Sequence, residues 1–303
     1  MPKSPRDNAS QEILTKSQEA ALDLLTERAE AFFAKAGAGF CIKPRFNSLL
    51  IAPTGCGKTT LVHKLAKRVG AGVFAISCAA WNVEASRHQP STLRQLVEKI
   101  CKHERLIVLI DEVDKWTSTD ENSWVRFVSA EIWSTLDRKV EADLYFKDAE
   151  HQAALKKRLE ECVYFVGAGT FEKIFAMAVK RTCVFAGNNE TFSNQDIIEL
   201  IREHQCVSPE LLSRFSTEPI VLRYPDLQET ADLLRRTGLK ELADRAEIVL
   251  EPSDIDWTGA GMRTLEQWAA DLIIEERREQ KRIQAIIEES ERIEEEERKG
   301  LPF

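Results

Sequence analysis

Residues 52–59, Ala-Pro-Thr-Gly-Cys-Gly-Lys-Thr, have the residue types and spacing of a phosphate-binding loop. Gly55 and Gly57 allow the backbone to turn its N–H groups inward around phosphate oxygens. Lys58 can reach the outer phosphates, and the Thr59 hydroxyl can bind magnesium. The run therefore predicts a site for a nucleoside triphosphate, ATP, together with Mg²⁺.

The segments on either side of this loop are the ones that such a loop requires. Residues 48–51 are apolar and strand-like, and residues 59–69 have a helical pattern. A helix that begins at the loop presents its unpaired N–H groups and its positive dipole end to the bound anion. Ala52 replaces the first glycine of the usual motif, and we expect this small substitute to be tolerated. The expected nucleotide-binding residues are Pro53, Thr54, Gly55, Cys56, Gly57, Lys58, Thr59 and Thr60.

Two adjacent carboxylates, Asp111 and Glu112, follow the unbroken apolar run of residues 106–110. This run is predicted to be a strand that is buried on both faces of a parallel sheet. Ligands bind at the carboxyl ends of such strands. Asp111 is placed to bind magnesium, and Glu112 is placed to orient or deprotonate the attacking water. The pair predicts that the nucleotide is hydrolysed as well as bound.

The composition is that of an ordinary globular protein, with 303 residues of which 43% are hydrophobic and 30% charged. No apolar run approaches the ~20 residues needed to span a membrane, and residues 1–8 lack the apolar stretch of a secretory signal. The seven cysteines include no C-x-x-C pair, which argues against a zinc site and against a disulfide framework. We therefore expect a cytoplasmic protein without membrane association. The formal net charge of −8 offers no broad attraction to nucleic acid.

Cys56 differs from the other cysteines because it lies inside the phosphate loop. A nearby helix N-terminus and Lys58 are surroundings that lower the pKa of a thiol. We therefore expect alkylation of Cys56 to block nucleotide binding, and bound ATP to protect against it.

Strand-like and helix-like segments alternate along most of the chain, which predicts an α/β fold, namely a P-loop NTPase sheet of parallel strands flanked by helices. From residue 226 onward the pattern is helical only. The predicted strands are residues 48–51, 73–77, 106–110, 162–166, 182–186 and 220–223. The expected domains are a disordered N-terminus (1–10), an ATPase domain (11–224), a small all-helical lid (225–275) and a charged helical tail (276–303).

The tail is rich in charges that recur at helical spacing. Glu275 and Glu279 stand against Arg278 and Arg282, which favours a long exposed helix. The apolar residues do not sustain a coiled-coil repeat. A solvated helix and a partner-binding helix remain alternatives for this segment.

Beyond the two motifs, the order of several segments resembles AAA+ ATPases, and among them the Clp-type unfoldases of the ClpX and HslU kind. The matching segments are residues 13–14 with Gln18, 48–59, 109–115, 164–171, 207–215 and 258–263. The resemblance covers about residues 11–275. It implies the AAA+ fold, ATP-driven chaperone activity on a protein partner, and a homo-oligomer in the form of a hexameric ring.

The resemblance also implies roles for residues outside the two motifs. Ile13 and Leu14 would contact the adenine. Arg214 would be an arginine finger that reaches a neighbouring subunit, and Arg263 would touch the γ-phosphate from the lid. An arginine aimed at the transferred phosphoryl group offsets the negative charge that its oxygens carry in the transition state.

The sensor-1 residue has two candidates under this resemblance. Thr170 fits the order of the motifs best. Asn188 or Asn189 competes, because asparagine is the more usual residue in this role across AAA+ proteins. The sequence leaves this choice open.

Three features of the Clp-type unfoldases are missing from this sequence. Residues 78–90, where their polypeptide-gripping loop would lie, contain Trp81 and Val83 but no G-Y-V-G-like tetrad. Trp81 can instead be a buried aromatic residue at a strand end. The peptidase-docking tripeptide I-G-F and the zinc-binding N-terminal domain are also missing. We therefore do not expect a ring that feeds a peptidase.

Two main functions follow, and a third is weaker. The first is ATP-driven remodelling of a protein partner, with Trp81 or Val83 projecting into a central pore. The second is a DNA-acting ATPase, such as a loader, a transposition regulator or a branch-migration motor, in which Arg87 and His88 contact phosphates and binding is steeply salt-dependent. The third is a nucleotide switch that signals by assembly.

Overall fold

The computed structural model describes residues 13–35, 41, 44–81, 91–115, 123–185, 193–204, 209–215, 218–258 and 260–300. The chain divides into two compact units. The first unit is Ser17–Tyr224, and the second combines the residues up to Lys16 with those from Pro225 onward.

The first unit alternates strands and helices. Its strands are β1 (Ser48–Ile51), β2 (Gly72–Ser77), β3 (Leu106–Asp111), β4 (Val163–Gly169) and β5 (Ile220–Val221). Its helices are α1 (Lys16–Phe33), α2 (Lys58–Val69), α3 (Thr92–Lys102), α4 (Ser123–Leu136), α5 (Ala149–Cys162), α6 (Glu172–Phe185), α7 (Asn194–Glu203) and α8 (Pro209–Leu212). Short 3-10 turns lie at Cys78–Ala80, Val113–Lys115 and Ala142–Leu144.

The strands form one parallel sheet in the order β2-β3-β4-β1-β5. Ile51 of β1 is in register with Gly169 of β4, and Ile110 of β3 is in register with Gly167 of β4. Because β4 lies between β1 and β3, the segments that follow these three strands meet at one edge of the sheet. Neighbouring strands are about 4.8 Å apart, so these segments are within reach of one another.

Both faces of the sheet are covered. Leu49, Val108 and Phe165 belong to a core that includes buried residues of α3, α4, α5, α6 and α7. On the opposite face, the ring of Tyr164 lies 5.8 Å from the ring of Phe32 in α1. Burial on both faces explains why β3 is an unbroken apolar run rather than an alternating one. The predicted α/β fold, a parallel P-loop sheet flanked by helices, is confirmed.

The prediction of a strand at residues 182–186 is wrong. Residues up to Phe185 belong to α6, and Ala186 lies outside the described residues. A short apolar run with a β-branched residue does not by itself distinguish a buried strand from a helix. The place beside β1 is taken by β5, which pairs with it through Leu50 and Ile51.

The second unit is helical in the part that the structure describes. It contains α9 (Leu227–Arg236), α10 (Leu239–Arg245) and α11 (Arg263–Gly300), with a 3-10 turn at Pro252–Asp254. Asp226 caps α9 by accepting the N–H of Glu229 at 2.7 Å. The indole N–H of Trp257 donates to Thr230 Oγ1 at 3.0 Å.

The last helix, α11, runs without interruption through residues 275 and 276, where a lid and a tail were expected to divide. Leu272 is buried, whereas every described side chain in residues 280–295 is exposed. The helix therefore changes from a packed to an exposed environment without a break in its backbone. Among the described residues, no helix has the length and hydropathy that crossing a bilayer requires.

Candidate active site

The loop between β1 and α2 has the backbone form of a phosphate cradle. Gly55 and Gly57 have φ angles of 77° and 72°, which glycine adopts without strain. Gly57 is the N-cap of α2, so the first N–H groups of that helix face the loop. A Cβ at Gly57 would lie 2.8 Å from Gln18 Nε2. This amide also donates to the Cys56 carbonyl at 2.9 Å, so α1 supports the loop from behind.

Ala52 occupies the place of the first glycine in the usual motif. It is fully buried, and its N–H donates to the Gly169 carbonyl at 3.1 Å. Its φ is not among the positive values found in the described residues. Alanine therefore adopts the backbone conformation at this position without strain.

Lys58 is folded back onto the phosphate loop. Its ammonium donates to the carbonyls of Ala52 at 3.0 Å and Pro53 at 3.4 Å, and the residue is 9% exposed. Burial lowers the pKa of Lys58, and the carboxylate of Asp111 opposes this shift. Because the bond of an ammonium to a phosphate joins two opposite charges, whereas its bond to a carbonyl does not, a bound nucleotide can displace these carbonyls from the Lys58 ammonium.

The prediction of an activated thiol at Cys56 is wrong. Cys56 is 4% exposed, and burial raises its pKa to about 12 against the opposing effect of Lys58. A helix N-terminus and a nearby cation lower the pKa of a thiol where the thiolate is also partly exposed, and here desolvation outweighs them.

We expect the alkylation of Cys56 by iodoacetamide to be slow at neutral pH. Since the pKa of this thiol is raised to about 12, its thiolate fraction keeps growing by about tenfold per pH unit through the alkaline range. The alkylation rate of a cysteine in a short unstructured peptide instead levels off above its pKa of ~8.5. Mass spectrometry of the Cys56 peptide after timed quenching measures the rate. If the alkylation rate of Cys56 levelled off at the same pH as that of the cysteine in the unstructured peptide, the raised pKa of Cys56 would be contradicted.

Asp111 and Glu112 stand at the carboxyl end of β3. The Glu112 N–H donates to Asp111 Oδ1 at 2.8 Å, which fixes this oxygen and leaves the other carboxylate oxygen as the candidate metal ligand. Thr59 is exposed in the first turn of α2. A hydroxyl and a carboxylate are oxygen ligands of the kind that Mg²⁺ prefers, so the two side chains fit that ion.

Glu112 has an unusual backbone and a charged partner. Its φ of 61° lies in the left-handed region, which costs a non-glycine residue about 1–2 kcal/mol. Its Oε1 accepts a hydrogen bond from Lys115 Nζ at 2.5 Å, and this bond raises the pKa of Lys115. Lys115 is exposed, so water can replace it when Glu112 engages a substrate.

Thr170 directly follows β4, between the ends of β1 and β3. Its Oγ1 donates to Asp114 Oδ2 at 2.9 Å, and the N–H of Phe171 donates to the same oxygen at 2.9 Å. The competing sensor-1 candidates, Asn188 and Asn189, lie outside the described residues.

Two contacts to the phosphate loop had no signal in the sequence. Thr54 Oγ1 donates to Glu172 Oε1 at 2.9 Å, and the Tyr224 hydroxyl donates to the Thr54 carbonyl at 3.2 Å. The partners are 118 and 170 residues from Thr54 along the chain, so no local pattern marks them.

Arg214 follows α8 and is held by Asp137. Its Nε and Nη2 atoms lie 3.2 and 3.1 Å from Asp137 Oδ2, and its guanidinium carbon lies 5.2 Å from the Trp133 ring centroid. The side chain is 18% exposed. Whether it acts on a neighbouring subunit stays a prediction.

The other predicted nucleotide contacts lie in the second unit. Ile13 and Leu14 are half-buried, and Arg263 is an exposed residue at the start of α11. Their roles at the adenine and the γ-phosphate stay predictions.

Trp81 is buried rather than projecting from the domain. It is 5% exposed, and its indole N–H donates to Glu131 Oε1 at 2.8 Å. The expectation that Trp81 grips a polypeptide is therefore wrong, and the alternative of a buried aromatic residue after a strand is the observed one. Val83, Arg87 and His88 lie outside the described residues.

A parallel sheet, a glycine loop at a helix N-terminus and an Asp-Glu pair at the same sheet edge define a P-loop nucleoside triphosphatase. Residues 48–184 match the model of the "ATPase family associated with various cellular activities (AAA)". Over 81 residues, 27% of the chain, the sequence is 33% identical to a protein named Cell division control protein 48 homolog C from Arabidopsis thaliana. This match spans 10% of that protein's length. The chain is a P-loop ATPase, and residues 48–184 are similar to AAA ATPase domains.

Proposed function

We propose that the protein hydrolyses ATP with Mg²⁺ to remodel a protein partner, and that it does so as a homo-oligomer. The meeting of the phosphate loop, the Asp111–Glu112 pair and Thr170 at one sheet edge carries the proposal. The order of motifs, which resembles that of the Clp-type unfoldases, supports a ring of subunits.

The chemistry follows from the positions of the side chains. The N–H groups of α2 and the ammonium of Lys58 bind the phosphates, while Thr59 and Asp111 hold Mg²⁺. When bound, Mg²⁺ supplies positive charge against the phosphate oxygens. Glu112 leaves Lys115 and accepts a hydrogen bond from the attacking water, whose proton it can take up.

The charge of the chain supports a protein partner over DNA. The formal net charge is −8 and the sequence pI is about 5.4, which gives no long-range attraction to a phosphate backbone. Because Trp81 is buried, we infer that remodelling acts on a dedicated partner through other residues, and not through an aromatic grip on any unfolded chain.

We expect a protein substrate, and not duplex DNA, to raise steady-state ATP turnover above its basal rate. The assay compares turnover with added unfolded polypeptide, with added duplex DNA and with neither, and the Glu112→Gln variant serves as the blank. Since a dedicated partner is proposed, the assay has a fourth condition. In it, the proteins that co-purify with the Glu112→Gln variant in the presence of ATP are added to the wild-type enzyme. Stimulation by DNA alone would contradict the proposal and place the chain among the DNA-acting ATPases.

A further inference from the structure

Asp114 connects the two segments that carry the candidates for catalysis. It lies in the 3-10 turn Val113–Lys115, two residues after Glu112. Its Oδ2 accepts hydrogen bonds from Thr170 Oγ1 and from the N–H of Phe171, both at 2.9 Å. One carboxylate oxygen therefore ties the segment after β3 to the segment after β4.

Left-handed backbone conformations lie at both ends of this connection. Glu112 has a φ of 61° and Phe171 a φ of 51°. Non-glycine residues keep such conformations only where the surrounding contacts hold them in place. Asp114 supplies one of these contacts directly, because it accepts the N–H of Phe171, whose side chain is 3% exposed.

The approach of Asp114 to this junction depends on the absence of a side chain at Gly169. A Cβ on Gly169 would lie 2.6 Å from Asp114 Oδ1 and 2.6 Å from Phe171 Cε2. The last residue of β4 must therefore be glycine for the carboxylate to reach its two donors.

The second oxygen of Asp114 is buried without a hydrogen-bond donor from the described residues. Within the described part of the chain, Oδ1 is the buried side-chain polar atom that lacks a hydrogen-bond partner. A buried acceptor without a donor destabilises a fold. A carboxylate at this position therefore carries a cost at Oδ1 beside the two hydrogen bonds that Oδ2 accepts.

We propose that Asp114 is a positioning residue for ATP hydrolysis, which fixes Thr170 relative to Glu112 through its Oδ2 acceptor. This inference rests on the proposed roles of Glu112 and Thr170. A displacement of reacting groups by about 1 Å can cost about 10²-fold in rate, so losing this connection lowers kcat more than nucleotide affinity.

The test combines Asp114→Ala, Asp114→Asn, Thr170→Val and the double variant Asp114→Ala/Thr170→Val. Alanine removes the acceptor, whereas the amide oxygen of asparagine keeps it. We expect Asp114→Ala to lower kcat at least about tenfold, with the Kd for a fluorescent ADP analogue changed less than about threefold. Asp114→Asn should recover turnover to within about threefold of the wild type. The double variant should lose no more than the stronger single variant, since both break one connection.

Three outcomes overturn the positioning role: an unchanged kcat in Asp114→Ala, no recovery in Asp114→Asn, or additive losses in the double variant. If Asp114→Ala does not fold, Asp114→Leu replaces it, because leucine fills a similar volume without an acceptor. If neither folds, Thr170→Val decides alone, since a wild-type kcat there would leave nothing for Asp114 to position.

Glu112→Gln is assayed in parallel to separate this inference from the proposed function. Loss of turnover in Glu112→Gln beside an unaffected Asp114→Ala would refute the positioning role alone. A wild-type rate in Glu112→Gln would refute the proposed site, and with it the role of Asp114.

Discussion

Replacing Glu112 with glutamine is expected to lower the kcat for ATP hydrolysis by about 10²–10⁴-fold, the usual contribution of a general base. Glutamine keeps the size of the side chain and can still accept a hydrogen bond, but it cannot take up the proton of the attacking water. Nucleotide affinity should change little, because the phosphates are bound by Lys58 and the N-terminus of α2. The lost ion pair to the exposed Lys115 contributes little to folding.

Lys58→Ala is the matched comparison for this variant. It removes the ammonium that the loop carbonyls hold in the structure, and we expect it to abolish nucleotide binding. Titration with a fluorescent nucleotide measures affinity, and phosphate release measures turnover. If Glu112→Gln lost affinity and turnover to the same extent, the catalytic carboxylate would have to lie elsewhere.

Arg214→Ala is expected to lower kcat by about 10³-fold or more, the usual contribution of an arginine finger. The effect depends on the proposed reach of Arg214 to the nucleotide of a neighbouring subunit. In the described chain, its guanidinium is paired with Asp137. Engaging the phosphates therefore means exchanging one negatively charged partner for another. The positive charge of the guanidinium is then paired with a negative charge both before and after Arg214 engages the nucleotide.

Asp137→Asn separates a catalytic loss from a structural one. This variant weakens the pair with Arg214 but leaves the guanidinium in place, so we expect turnover within about tenfold of the wild type. Thermal unfolding of both variants shows whether the fold is affected. If Asp137→Asn lost as much turnover as Arg214→Ala, the pair would serve the structure rather than the reaction.

The sheet and its phosphate loop could be predicted because their signals are local. The apolar run of β1 is followed by the loop that contains Gly55 and Gly57, and the apolar run of β3 ends at Asp111. These residue types mark the sheet edge where ligands bind. The prediction of a strand at residues 182–186 was wrong because it rested on an apolar run alone. A short apolar run has no periodicity of its own, and the helix that begins at Glu172 continues to Phe185 within it.

The environment of the site residues could not be predicted, because it depends on contacts between distant parts of the chain. Cys56 lies beside a helix N-terminus and Lys58, which would lower the pKa of an exposed thiol, yet its burial raises its pKa to about 12. The bonds of Thr54 to Glu172 and of Thr170 to Asp114 join residues 118 and 56 positions apart. The hydrogen bond from Trp81 to Glu131 likewise joins residues 50 positions apart.

The most direct measurement is phosphate release by an equimolar mixture of Arg214→Ala and Glu112→Gln subunits, each assayed alone as a control. In a head-to-tail oligomer, some sites combine the intact Glu112 of one subunit with the intact Arg214 of its neighbour. With random mixing about a quarter of the sites are complete, so we expect the mixture to recover a comparable fraction of wild-type turnover. A mixture no more active than the sum of the two variants, at concentrations where the wild type is active, would contradict an active site shared between subunits.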